Sequence, residues 1–172
     1  MRMVCGAMRV LIVTALITLA ACGPSQPPAS NPPAASAPSV EERVEERAEE
    51  AAEAQERIAA LPAPYNAANY EAGRRAFGQC RSCHTIEAGG PNRVGPNLHG
   101  VFGRRVGTKP GFEYSQAVQG ADFTWDAAQL NQWLTNPQTF LQGNRMAFAG
   151  VRNETQRRDL IAYLMVESAP ED

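Results

Sequence analysis

The sequence predicts an all-α fold of short helices joined by long loops, and three observations carry that prediction. No stretch of useful length alternates apolar and polar side chains as a half-buried strand would. Three segments beyond Pro64 pair a capping residue with apolar spacings of three and four. Between the first and second of these runs a loop of more than twenty residues, roughly 88–111, rich in Gly and Pro. A structureless loop of that length inside a compact domain ordinarily wraps something.

The elements follow in chain order. Arg2 and Arg9 precede an apolar run at residues 10–21. That run falls short of the roughly 20 residues a spanning helix needs, but it suits the apolar core of a secretion signal over residues 1–21. It ends in Leu19-Ala20-Ala21-Cys22, which resembles the lipobox of bacterial lipoproteins. The resemblance implies cleavage before Cys22 and acylation of that residue, an anchor that holds stably because each buried methylene contributes about 0.8 kcal/mol. Two other readings are an uncleaved apolar anchor and a free product cleaved near an unmodified Cys22. Residues 22–39 are mostly Pro, Ala and Ser, with no large apolar side chain to offset ordering entropy, and read as a semi-stiff tether.

Residues 40–64 change to strong helix formers and form an acidic spacer ended by Pro62 and Pro64. Val44, Ala51 and Ile58 recur every seven residues, with Ala54 and Leu61 between the repeats. That spacing is compatible with a coiled coil, but Arg47 interrupts the seam and alanines fill much of it, so a solvated single helix is the reading adopted. Residues 1–64 hold five arginines and eight glutamates, whereas residues 65–172 hold eleven basic and ten acidic groups. Neither portion is basic enough for non-specific binding to nucleic acid.

Residues 65–172 form the domain. Asn69 is positioned to cap a helix bearing Ala72, Ala76, Phe77 and Cys80 on one face. Thr124 is the expected cap of a second helix, stopped by Pro137. Asn153 and Gln156 make a capping box for a last helix with an apolar face of Leu160, Ile161, Leu164 and Met165.

The first helix leads into CRSCH, residues 80–84. Two thiols three positions apart, followed by an imidazole, can add to the two vinyl groups of a haem while the imidazole takes the iron. Two alternatives compete on the pentapeptide alone. A zinc site would need Cys80, Cys83, His84 and His99 in non-standard spacing, and a redox dithiol would leave the histidine unused.

Around it stand FGQCRSCHTIEAGG, GPNLHGVFGRRVG, GFEYS, FTWDAAQLNQWLTNP, GNRMAFAG and RRDLIAYL. Over residues 73–168 this order resembles the class I cytochromes c, of the mitochondrial and alphaproteobacterial type. The resemblance implies the fold of that class, with N- and C-terminal helices crossing at Gly73 and Phe77 against Leu160 and Tyr163, and short helices and long loops around one covalent haem c. It implies Cys80 and Cys83 as thioether links, and His84 and Met146 as axial iron ligands. Pro96 would offer its carbonyl to His84, and Arg104, Tyr114, Trp125 and Asn144 would hold the propionates. His99 matches no ligand position.

Three departures from the family pattern stand out. Trp133 replaces a tyrosine that often bonds the methionine sulfur, Gln142 replaces a proline ahead of GNRM and loosens that loop, and Lys109 is the one lysine of the chain. The implied function is electron carriage, not enzymatic turnover. The carrier would be monomeric, tethered on the periplasmic side of a bacterial inner membrane, and would take electrons from a cytochrome bc complex to a terminal oxidase or a reaction centre. Partners would approach near Arg81, Cys83 and the loop at residues 145–148. An open-iron enzyme or gas sensor with dissociable Met146, and an electron-accepting subunit docked to a dehydrogenase through residues 40–60, are the alternatives.

Overall fold

The computed structural model describes residues 38–170. The expected signal segment, Cys22 and all but the last two residues of the expected tether lie outside the described residues. Six α-helices follow: α1 (Val40–Ala59), α2 (Tyr70–Phe77), α3 (Gln116–Gln119), α4 (Ala127–Thr135), α5 (Pro137–Phe140) and α6 (Glu154–Glu167). A single 3-10 turn, Tyr65–Ala67, links α1 to α2. Among the described residues the only β pairing is an isolated bridge between Arg105 and Thr124, and no helix is long and apolar enough to cross a membrane.

α2 and α6 form the central pair. Asn69 caps α2 by accepting from Ala72 N at 2.8 Å, and Asn153 caps α6 by accepting from Gln156 N at 2.8 Å. The two helices cross at Gly73, where an added Cβ would collide with the Asp159 carbonyl and lie 2.6 Å from Tyr163 Cβ. Only glycine permits that approach. Phe77, Leu160 and Ile161 fill the crossing at 1% exposure or less, and burial of each stabilises by roughly 1.5–3 kcal/mol.

The single apolar face expected on α6 understates its burial. Arg157, Asp159, Ala162, Tyr163 and Val166 are buried as well, because α1, α2 and α4 all pack on this helix. The buried polar groups are partnered: Arg157 donates to Asn131 Oδ1 at 2.7 Å and Val151 O at 2.8 Å, and Asp159 accepts from Arg158 at 2.8 Å.

α1 departs from the solvated spacer. Its first turn is closed by a capping box between Ser39 and Glu42, and there Val40 and Val44 are 66% and 61% exposed. Its last turns bury Ala54 and Ile58 at 1% and 0%. Gln55 fastens this end by donating to Ala68 O at 3.0 Å and accepting from Tyr70 N at 2.8 Å. The seven-residue spacing was correctly periodic but its partner is internal: Ala51, Ala54, Ile58 and Leu61 face the domain's own core. The domain boundary expected at residue 65 thus falls inside what is structurally one body.

The second expected helix also starts elsewhere. Asp126, not Thr124, caps α4 by accepting from Gln129 N at 2.7 Å, because Thr124 is held extended in the bridge to Arg105. Pro137 both follows the end of α4 and opens α5 at its first position, where its missing N–H costs nothing. The long segment between α2 and α3 carries no further helix.

Candidate haem site

The CRSCH segment leaves α2 as a tight turn. Cys80 N donates to Phe77 O at 2.8 Å, Cys83 N to Cys80 O at 3.0 Å and His84 N to Cys80 O at 2.8 Å. Cys80 and Cys83 are free and partly buried. Burial, with a smaller contribution from Cys83, pushes the Cys80 thiol up to about 11. A raised thiol at Cys80 is not itself an activated nucleophile.

His84 is fixed by the long loop. Its Nδ1 lies 2.7 Å from the Pro96 carbonyl, which makes Nδ1 the donor and leaves Nε2 with a lone pair. Burial lowers its pKa and the Pro96 bond partly opposes that, which favours neutral imidazole, the form that ligates metal. Gly95 lies flat against the ring: a Cβ there would collide with Cε1 and sit 2.6 Å from Nε2. Sequence reasoning missed Gly95, although its place directly before Pro96 is a usable signal.

Asn97 was missed too. It is 0% exposed and holds the loop from all sides. Its amide donates to Thr85 Oγ1 at 2.8 Å and Glu87 O at 3.0 Å, and its carbonyl accepts from Lys109 Nζ at 2.8 Å and His99 N at 3.2 Å. Among the described residues no three His, Cys, Asp or Glu side chains converge to hold a metal. The Cys80, Cys83, His84 and His99 zinc set is therefore not assembled.

The expected propionate residues divide into two groups. Arg104 and Trp125 lie on adjoining strands of loop, since Trp125 N donates to Arg104 O at 2.9 Å, and Gly103 N donates to Trp125 O at 2.8 Å. Arg104 is half-buried, donates to His99 O at 3.1 Å and Asn97 O at 3.3 Å, and is lowered by burial despite the opposing influence of Tyr114. Tyr114 accepts from Lys109 N at 3.3 Å, and burial raises its hydroxyl. Trp125 packs edge-on against Phe123 at 4.8 Å and Trp133 at 5.5 Å.

Asn144 is held differently. Its amide donates to Pro137 O and to Leu141 O, each at 2.8 Å, so both hydrogens are committed within the protein. Its expected propionate contact would require exchange of one of these two bonds.

A haem fits these residues: two adjacent free thiols, one imidazole with a single nitrogen open, a glycine that yields ring space, and a methionine in the returning loop. The family model for cytochrome c matches residues 70–166. This chain belongs to the cytochrome c family. The cytochrome therefore carries one covalently attached haem c and serves as an electron carrier. It is 42% identical over 106 residues to cytochrome c of Kluyveromyces lactis, covering 61% of this chain and 96% of that one. With cytochrome c2 of Blastochloris viridis it shares 41% over 107 residues, 62% of this chain and 84% of the relative. A cytochrome c homolog of Bradyrhizobium diazoefficiens is 47% identical over 98 residues, 56% of this chain and 53% of that protein. The docked helix α1 lies ahead of the matched residues of the cytochrome domain.

Proposed function

We propose that this cytochrome is a membrane-tethered carrier on the periplasmic side of a bacterial inner membrane, taking single electrons from a cytochrome bc complex to a terminal oxidase or photosynthetic reaction centre. The observation that carries the site assignment is the His84 ring, pinned through Nδ1 to Pro96 O at 2.7 Å with Gly95 beneath it. Bound haem supplies an iron that changes by one charge while keeping its ligands. Cys80 and Cys83 would hold the ring covalently, and His84 Nε2 and the Met146 sulfur would bind its iron. A thioether opposite imidazole favours the ferrous state and so raises the potential. Arg104, Tyr114 and Trp125 bind the propionates, whose burial needs donors and positive charge. Pinned ligands change little between oxidation states, which keeps the reorganisation accompanying electron transfer small.

Arg81, Arg93 and Arg145 are exposed around the ligand-bearing segments and form the face presented to partners. Only Lys109 represents the lysines, and it is engaged with Asn97. Weak electrostatic recruitment suits an anchored carrier, which is already held at high effective concentration. The lipobox-like Leu19 to Cys22 stretch supports acylation at Cys22.

The deciding experiment is spectroscopic. The ferric holoprotein is expected to show the weak iron-thioether band, and the ferrous form no carbon monoxide adduct. A missing band with ready carbon monoxide binding would replace carriage by open-iron chemistry. For the tether, Cys22→Ser is expected to move the protein from the membrane to the soluble periplasmic fraction. Retention of that variant in the membrane would refute lipid anchoring.

A further inference from the structure

Met146 is held by its backbone as well as by its expected bond to iron. Its N–H donates to Asn144 Oδ1 at 2.8 Å, and its carbonyl accepts from Gln138 Nε2 at 3.0 Å. Gln138 Nε2 also donates to Asn144 Oδ1 at 3.2 Å, tying the two amides together. Asn144 in turn is anchored to both ends of α5, through Pro137 O at its first position and Leu141 O at its C-cap, at 2.8 Å each. The Met146 N–H is thus closed by Asn144, two residues earlier, and its carbonyl by Gln138 on α5, eight residues earlier, beside a backbone bond from Phe148 N at 3.0 Å.

We propose that Gln138 and Asn144 are positioning residues that clamp Met146 in its ligating pose, so that the methionine resists exchange for external ligands. The inference rests on the reading of Met146 as axial ligand. A side chain free to rotate would leave iron whenever its loop opened. Closing the loop at N–H and carbonyl together removes the local openings that cost least. Asn144 is 8% exposed and supplies the rigid half of the clamp, whereas Gln138 is exposed and supplies the half that can be altered without disturbing the core. The electrostatic logic is simple: a carboxylate at position 138 could no longer donate, and would set a negative charge against two carbonyl oxygens.

The test uses the full-length ferric holoprotein and imidazole as the competing ligand. Gln138→Glu and Gln138→Ala are titrated with imidazole while the thioether band is followed, with far-UV circular dichroism checking the fold. Loss of one net hydrogen bond predicts a roughly five- to tenfold lower imidazole midpoint for Gln138→Ala, and a lower one still for Gln138→Glu. Thr139→Ala, an exposed neighbour whose side chain does not bond Met146, is expected to titrate like wild type. Wild-type midpoints in both Gln138 variants would overturn the clamp. A wild-type protein lacking the thioether band would remove Met146 as ligand, a different failure that takes the clamp with it.

Discussion

Replacing Ile58 with alanine tests whether α1 belongs to the cytochrome domain or merely precedes it. Ile58 is 0% exposed within the core cluster, on a helix that packs against the 3-10 turn, α2 and α6. The substitution removes three carbons, about 2.4 kcal/mol at about 0.8 kcal/mol for each, and the residual cavity brings the loss to about 3 kcal/mol. For a body of this size that lowers the thermal midpoint by about 10 °C. Val44→Ala is the internal comparison. Val44 is 61% exposed on the same helix, and its truncation is expected to change stability by less than about 0.5 kcal/mol. Thermal unfolding of the holoprotein, followed at the far-UV helix signal, reads both. Equal midpoints for Ile58→Ala and wild type, or a separate early melting of α1, would refute the docked helix.

Two further outcomes follow from the loop and the surface. Gly95→Ala drives a Cβ into the His84 ring, so the hyperfine-shifted resonances of the ferric protein should move well beyond any change in Gly89→Ala, where a left-handed backbone is strained by alanine but nothing lies within 4 Å of the added Cβ; matching spectra would dismiss the cradle. Glu71 is held below the usual carboxylate range, chiefly by the hydrogen bond from Arg74. Its folded pKa is depressed, so its contribution is present at pH 7 and disappears as pH falls through the lowered value. The pair is solvent-exposed at 33% and 39%, which limits the contribution to below about 1 kcal/mol. Urea midpoints of Glu71→Gln should therefore trail wild type slightly at pH 7 and converge with it as pH falls through the lowered Glu71 value; a gap independent of pH would contradict the pairing.

How much could be read in advance depended on how local each interaction is. Asn69 and Asn153 cap the helices expected of them because a cap needs only the next three residues. CRSCH is equally local. Thr124 had the right chemistry for a cap, but Arg105, nineteen residues earlier, holds it extended, and Asp126 takes over. Periodicity correctly set one face of α1 apart, yet it cannot say what covers a face, and Ile58 turned out to meet the domain itself. The bonds that Asn144 and Gln138 make to Met146 were missed for the same reason. Their bonds exist only because α5 folds back over the methionine loop, and Gln142 in place of a proline had pointed toward a looser loop.

The docking of α1 also has a consequence in time. Arg57 pairs with Glu167 at 3.4 Å across 110 positions of sequence, and the seat of Ile58 includes α6. As the chain is delivered N-terminus first, α1 has no complete seat until α6 has followed it. The helix nearest the tether is thus among the earliest made and the last to settle. A chain halted before residue 154 would leave Ala54 and Ile58 only partly covered, by the 3-10 turn and α2, an apolar stripe that a protease or chaperone can recognise and that a completed cytochrome conceals.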